Sequence, residues 1–114
     1  MSDAAKLPIE TDVAGVVALR ESGQEFVLLD VREEDEYVIA KIDGSILLPM
    51  SQLRDRVAEL DKYRDRLIVV HCHHGGRSMQ VTQALRNHGF EKVQNMAGGI
   101  DQWSAQIDPS VRRY

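Results

Sequence analysis

Two nearly continuous apolar runs, Phe26-Val27-Leu28-Leu29-Asp30-Val31 and Leu67-Ile68-Val69-Val70, constrain this 114-residue chain more than any other feature. Both are too uniformly apolar for a sheet with one wet face, so they read as parallel strands covered on both sides. Parallel strands need crossovers, and helical spacing surrounds the runs. Val13, Val16 and Val17 follow Thr11, a candidate N-cap, and Gly23 ends their segment. Glu33-Glu34-Asp35-Glu36 opens a short helix with Tyr37, Val38 and Ile39. Negative charge suits a first turn, and a solvated face explains it sufficiently. Ile42-Asp43-Gly44-Ser45 reads as a turn and Ile46-Leu47-Leu48 as a short strand stopped by Pro49. Ser51 is placed to cap a helix with Leu53, Val57 and Leu60 on one face. Val81, Ala84, Leu85 and His88 mark another helix face, with Asn87-His88-Gly89 as its end. Val93 lies in a strand, and Gly98-Gly99 precedes a last helix containing Trp103, which reads as core or rim packing rather than a substrate contact. The alternation predicts an α/β fold: one domain over residues 1–114, a mostly parallel central sheet and helices on both faces.

Bulk properties narrow the function. The net charge of −4 argues against nucleic acid as a partner, and Arg112-Arg113 is too small a basic cluster to reverse that. No stretch has the apolar length of a membrane span. Met1–Thr11 carries Asp3, Lys6 and Glu10 and no apolar core of a leader, so a cytoplasmic protein is expected. A monomer is the default for a chain without an apolar surface stripe. Cys72 is the only cysteine, which excludes an internal disulfide and a resolving thiol.

A lone cysteine is usually a small buried hydrophobe. The surroundings of Cys72 say otherwise. It follows the strand Leu67–Val70 and precedes His73-His74-Gly75-Gly76-Arg77-Ser78, after which a helix starts near Ser78. Sites in open α/β sheets form beyond the carboxyl ends of strands. Gly75 and Gly76 let the loop turn its N–H groups inward as an anion nest, a helix N-terminus adds positive potential, and Arg77 adds a charge. All three favour thiolate over thiol, and the thiolate is the nucleophile. The same cradle suits a persulfide or an anionic sulfur donor. One cysteine suffices for a two-step ping-pong relay, and no cofactor is required. His71, His73 and His74 invite a metal reading, but neighbours at a strand end point in alternating directions and cannot close a tetrahedral shell. His71 is expected in the core. His73 and His74 either raise the local positive potential, donate hydrogen bonds to a donor's oxygens, or merely fill the loop. Met79 reads as a gap filler.

Four segments carry a family resemblance. Cys72-His73-His74-Gly75-Gly76-Arg77-Ser78 resembles the Cys-x-x-Gly-x-Arg-Ser loop of the rhodaneses. Leu29-Asp30-Val31-Arg32-Glu33 with Glu36-Tyr37 resembles their N-terminal signature, Gly44-Ser45-Ile46-Leu47-Leu48-Pro49 their Gly-Ala-x-x-Ile-Pro segment, and Gly98-Gly99 with Trp103 their closing motif. Ala40-Lys41 departs from the usual Gly-His, and Lys41 would add positive charge near the site. The resemblance implies a rhodanese-like three-layer fold and a sulfurtransferase that moves sulfane sulfur through a Cys72 persulfide. It makes His73, His74, Gly75, Gly76, Arg77 and Ser78 the persulfide-binding loop. Asp30 and Arg32 become its support, bonding the loop or each other.

The implied partners are a small anionic donor, thiosulfate or a persulfide, and a protein acceptor such as a ubiquitin-like sulfur carrier or thioredoxin. Cys72-His73-His74-Gly75 with Gly99-Ile100-Asp101-Gln102-Trp103 and Asp108-Pro109-Ser110 resembles the rhodanese domains fused to MoeB-like adenylyltransferases, which supply such carriers. Two other readings compete. One is a binding module that keeps the scaffold without turnover. The other is a phosphatase or arsenate reductase, whose related loop is one residue longer; the shorter span from Cys72 to Arg77 suits a sulfur atom better than a tetrahedral oxyanion.

Overall fold

A computed structural model describes residues 7–114. The expectation of no leader falls partly on residues 1–6, which lie outside the described residues. In chain order the elements are β1 (Glu10–Thr11), α1 (Val13–Ser22), β2 (Phe26–Asp30), α2 (Glu34–Ile39), β3 (Ile46–Leu47), α3 (Leu53–Arg56), β4 (Leu67–His71), α4 (Gly76–Asn87), β5 (Val93–Met96) and α5 (Gly99–Gln106). The strands form one sheet in the order β1-β5-β4-β2-β3, and every pairing is parallel.

The two apolar runs are the central strands. β2 and β4 pair over their full length, Phe26 with Leu67 through Asp30 with His71. Alternation sends their side chains to two cores. Val27, Leu29, Ile68 and Val70 face Leu60, Val81 and Leu85, under α4 and the segment around α3. Leu28, Leu67 and Val69 face Val13, Val16, Ile100 and Trp103, under α1 and α5. This is the predicted three-layer arrangement.

Several boundaries differ from the sequence reading. β1 is a two-residue edge strand added to β5, and Asp12, not Thr11, caps α1 by accepting from the Gly15 amide at 2.8 Å. The segment after Pro49 is not one helix. It is a 3₁₀ turn over Met50–Gln52, one α turn, then 3₁₀ backbone over Val57–Tyr63, as short connectors often are. Ser51 caps nothing; its hydroxyl donates to Glu33 Oε1 at 2.5 Å. The buried face of α4 is Ser78, Val81, Thr82 and Leu85, whereas Ala84 and His88 are exposed. Two polar residues on that face hid it from a reading based on apolar spacing.

Candidate functional site

β4 ends at His71, and α4 begins at Gly76, two residues earlier than the sequence suggests. Four residues therefore turn the chain from strand to helix. Gly75 takes φ +126°, a conformation that L side chains rarely adopt. The turn brings amides back onto the sulfur: Cys72 Sγ accepts from the Gly75 N–H at 3.1 Å and the Ser78 N–H at 3.4 Å, and Ser78 Oγ lies 3.3 Å away. Cys72 is 1% exposed. Burial alone would raise its pKa. The Ser78 hydroxyl and the amides of Ser78, Gly75 and His74 outweigh burial and hold the thiol below its ordinary value.

The hydroxyl is the least dependable of those donors. It carries one proton, and three acceptors surround it: Cys72 Sγ, the Gly75 carbonyl at 3.2 Å and Asn95 Oδ1 at 2.5 Å. The orientation of Asn95 is fixed, because its Nδ2 donates to Glu10 Oε2 at 3.0 Å and to the Gly75 carbonyl at 3.3 Å, and neither partner can donate in return. Oδ1 must face Ser78 and is the nearest acceptor. Asn95 is the stronger competitor for the proton, and the backbone amides carry most of the stabilisation of the thiolate.

A second helix clamps the loop from outside. The Ile100 amide donates to the Cys72 carbonyl at 2.9 Å and the Asp101 amide to the His73 carbonyl at 3.1 Å. Gly99, at φ +59°, makes the approach: a Cβ there would lie 2.4 Å from the His73 carbonyl oxygen and 2.5 Å from that of Cys72.

Arg77 binds a carboxylate. Its Nη1 and Nη2 donate to Glu36 Oε1 and Oε2 at 2.6 and 2.9 Å. The guanidinium beside Glu36 holds that carboxyl at about 2, and Glu36 with the Cys72 thiolate holds Arg77 above its ordinary value. Asp30 and Arg32 do bond each other. Both are fully buried, with Arg32 Nη2 2.7 Å from Asp30 Oδ2, but neither hydrogen-bonds residues 72–78. Their side chains connect to the loop through α2 and Tyr114, since Arg32 Nη1 donates to the Glu36 carbonyl at 3.3 Å and to Tyr114 Oη at 2.9 Å.

His71 is buried, as expected, on the face opposite Cys72. Neither ring nitrogen meets a partner among the described residues, and burial lowers its pKa to about 4. His73 is half-buried and stacks between His74 and Tyr114, each with ring centroids 4.0 Å away. His74 is exposed, its Nδ1 3.9 Å from Asp101 Oδ2. Gly76 begins α4 and faces open space. Lys41 lies over the Tyr37 ring at 5.3 Å. Trp103 is buried in the core as predicted.

Sequence reading missed Glu36, Asn95, Tyr114 and Gly99 as parts of this site. In the sequence Glu36 reads as part of a solvated helix face. Asn95 had a legible signal, because an amide in the middle of a buried strand is costly unless it is bonded. A groove of about 830 Å³ lies between α3 and α4 and is lined by none of residues 72–78. The chemistry sits away from it.

Comparison with known proteins agrees with this geometry. The family model described as "Rhodanese-like domain" matches residues 13–106. The chain is 38% identical over 91 residues to the rhodanese-like/PpiC domain-containing protein 12, chloroplastic, of Arabidopsis thaliana, covering 76% of this chain and 30% of that one. It is 33% identical over 94 residues to the probable adenylyltransferase/sulfurtransferase MoeZ of Mycobacterium tuberculosis, covering 82% and 24%. The chain thus spans a third or less of the length of these relatives. The human single-domain sulfurtransferase TSTD1 superposes with a TM-score of 0.75 at 26% identity, over 88% of this chain and 98% of that one. With fold, loop and family model in agreement, this chain belongs to the rhodanese-like domain family.

Proposed function

We propose that this domain is a sulfurtransferase that carries sulfane sulfur on Cys72. The observation that carries the reading is the set of amides converging on Cys72 Sγ, from Gly75 at 3.1 Å and Ser78 at 3.4 Å. Fixed donors of that kind stabilise a thiolate, and after reaction they suit the anionic terminal sulfur of a persulfide. The relationship to MoeZ and TSTD1, both described as sulfurtransferases, supports the same reading.

With thiosulfate as donor, the Cys72 thiolate attacks the sulfane sulfur. A new S–S bond forms, the bond to the sulfonate sulfur breaks, and sulfite leaves with the electron pair. A nucleophilic acceptor, cyanide or a thiolate, then attacks the outer sulfur and returns Cys72 as thiolate. No external oxidant or reductant enters, and no cofactor is needed. Arg77 contributes a positive charge near the incoming anion. A ubiquitin-like sulfur carrier or thioredoxin is the protein acceptor class that fits this chemistry.

Steady-state thiocyanate formation from thiosulfate and cyanide tests the proposal. Parallel lines in double-reciprocal plots are expected, as a ping-pong relay requires, with Cys72→Ala reduced to background. Turnover that survives Cys72→Ala would remove the sulfur carrier from the mechanism.

A further inference from the structure

The segment after α5 returns to the carboxyl edge of the sheet. Arg113 pairs there with Asp101 at 3.0 Å, and the Tyr114 ring lies flat on His73, the planes within 5°. The Tyr114 hydroxyl makes two bonds that the sulfur chemistry itself does not call for. It accepts from Arg32 Nη1 at 2.9 Å and donates to Glu36 Oε2 at 2.8 Å. Arg32 is fixed by the buried Asp30, and Glu36 holds the Arg77 fork with both oxygens. One hydroxyl therefore ties a rigid ion pair in the core to a part-exposed ion pair at the loop. The Arg32 bond to the Glu36 carbonyl fixes the backbone of α2, but not where the Glu36 carboxylate points. The Glu33 amide reaches only Oε1. Apart from Arg77 itself, Tyr114 is the group that fixes Oε2 among the described residues.

We infer that Tyr114 is a positioning residue, whose hydroxyl holds the Glu36 carboxylate and through it keeps the Arg77 guanidinium oriented to draw anionic reagents to Cys72. The inference rests on the reading that Cys72 is the reacting group and Arg77 its anion-attracting charge. A loosened Arg77 spends part of its time away from the loop, and a charge that is not preorganised attracts less.

Alkylation of Cys72 by iodoacetate and by iodoacetamide reads this without turnover. The ratio of the two rates cancels changes in thiolate fraction and reports the local field. Tyr114→Phe keeps the ring on His73 and removes the hydroxyl. It should lower the ratio about threefold, with Arg77→Ala lowering it further, and raise KM for thiosulfate by a similar factor with less change in kcat. A ratio equal to wild type in Tyr114→Phe, or in Arg77→Ala, overturns the inference. If the Phe variant fails to fold, Glu36→Gln weakens the same bonds and carries the same test. Wild-type protein that takes no sulfur from thiosulfate while the ratio still falls would refute the proposed function and leave Tyr114 in its role. Sulfur transfer with an unchanged ratio would do the reverse.

Discussion

At the scale of single residues, the site turns on one proton. The Ser78 hydroxyl stands within reach of Cys72 Sγ, but Asn95 Oδ1 is nearer and is locked facing it by the bonds of Nδ2 to Glu10 and Gly75. The thiolate then depends on amides, which no side-chain substitution removes. Cys72 alkylation should rise with pH and level off above a midpoint that lies below the ordinary value of a free cysteine. The sign is that of an acid whose charged form is stabilised: the thiol persists below the midpoint and the thiolate above it. Ser78→Ala should raise that midpoint by no more than about half a unit, or about 0.7 kcal/mol. A rise beyond about one unit would mean that the hydroxyl donates to sulfur after all. Cys72 and its loop were legible in the sequence because glycine, arginine and position after a strand are local signals. For Asn95 the sequence signals only that a buried amide needs partners; which partners is not legible, because they come together from β1, the loop and α4.

At the scale of elements, the loop is held between two helix N-termini that do different work. α4 offers its first amides to the sulfur, whereas α5 offers its own to the carbonyls of Cys72 and His73. The second contact needs an α5 that starts without a side chain, which is why Gly99 stands where a Cβ would enter the loop backbone. Gly99→Ala should cost about 2–4 kcal/mol through backbone overlap and the positive φ together, measured by urea unfolding. A change under about 0.5 kcal/mol would show that α5 gives way freely and does not clamp the loop. α2 is the element whose function was least readable. Its acidic run looks like ordinary dipole complementation, yet it contains Glu36, the partner of Arg77 on α4. Only packing α2 against the loop distinguishes that glutamate from its solvated neighbours Glu34 and Asp35.

At the scale of the whole molecule, the sheet explains why the chemistry lies where it does. Central strands β2 and β4 end in register at Asp30 and His71, so the Asp30–Arg32 pair and the Cys72 loop emerge side by side on opposite faces. Those strands were legible because burial on both faces leaves an unbroken apolar run. β1 was not, because two residues at an edge carry no period and owe their conformation to β5. Tyr114 was beyond any local pattern, since its contacts with Arg32, Glu36 and His73 arise only when the segment after α5 is folded across the site. The central claim, that this architecture exists to hold sulfur on Cys72, meets its most direct test in the intact mass of the protein after incubation with thiosulfate and removal of excess donor. The wild-type chain should gain one sulfur atom, lose it on addition of cyanide, and gain none as Cys72→Ala. A wild-type mass that stays unchanged, under conditions where an established rhodanese is fully persulfidated, would contradict the account.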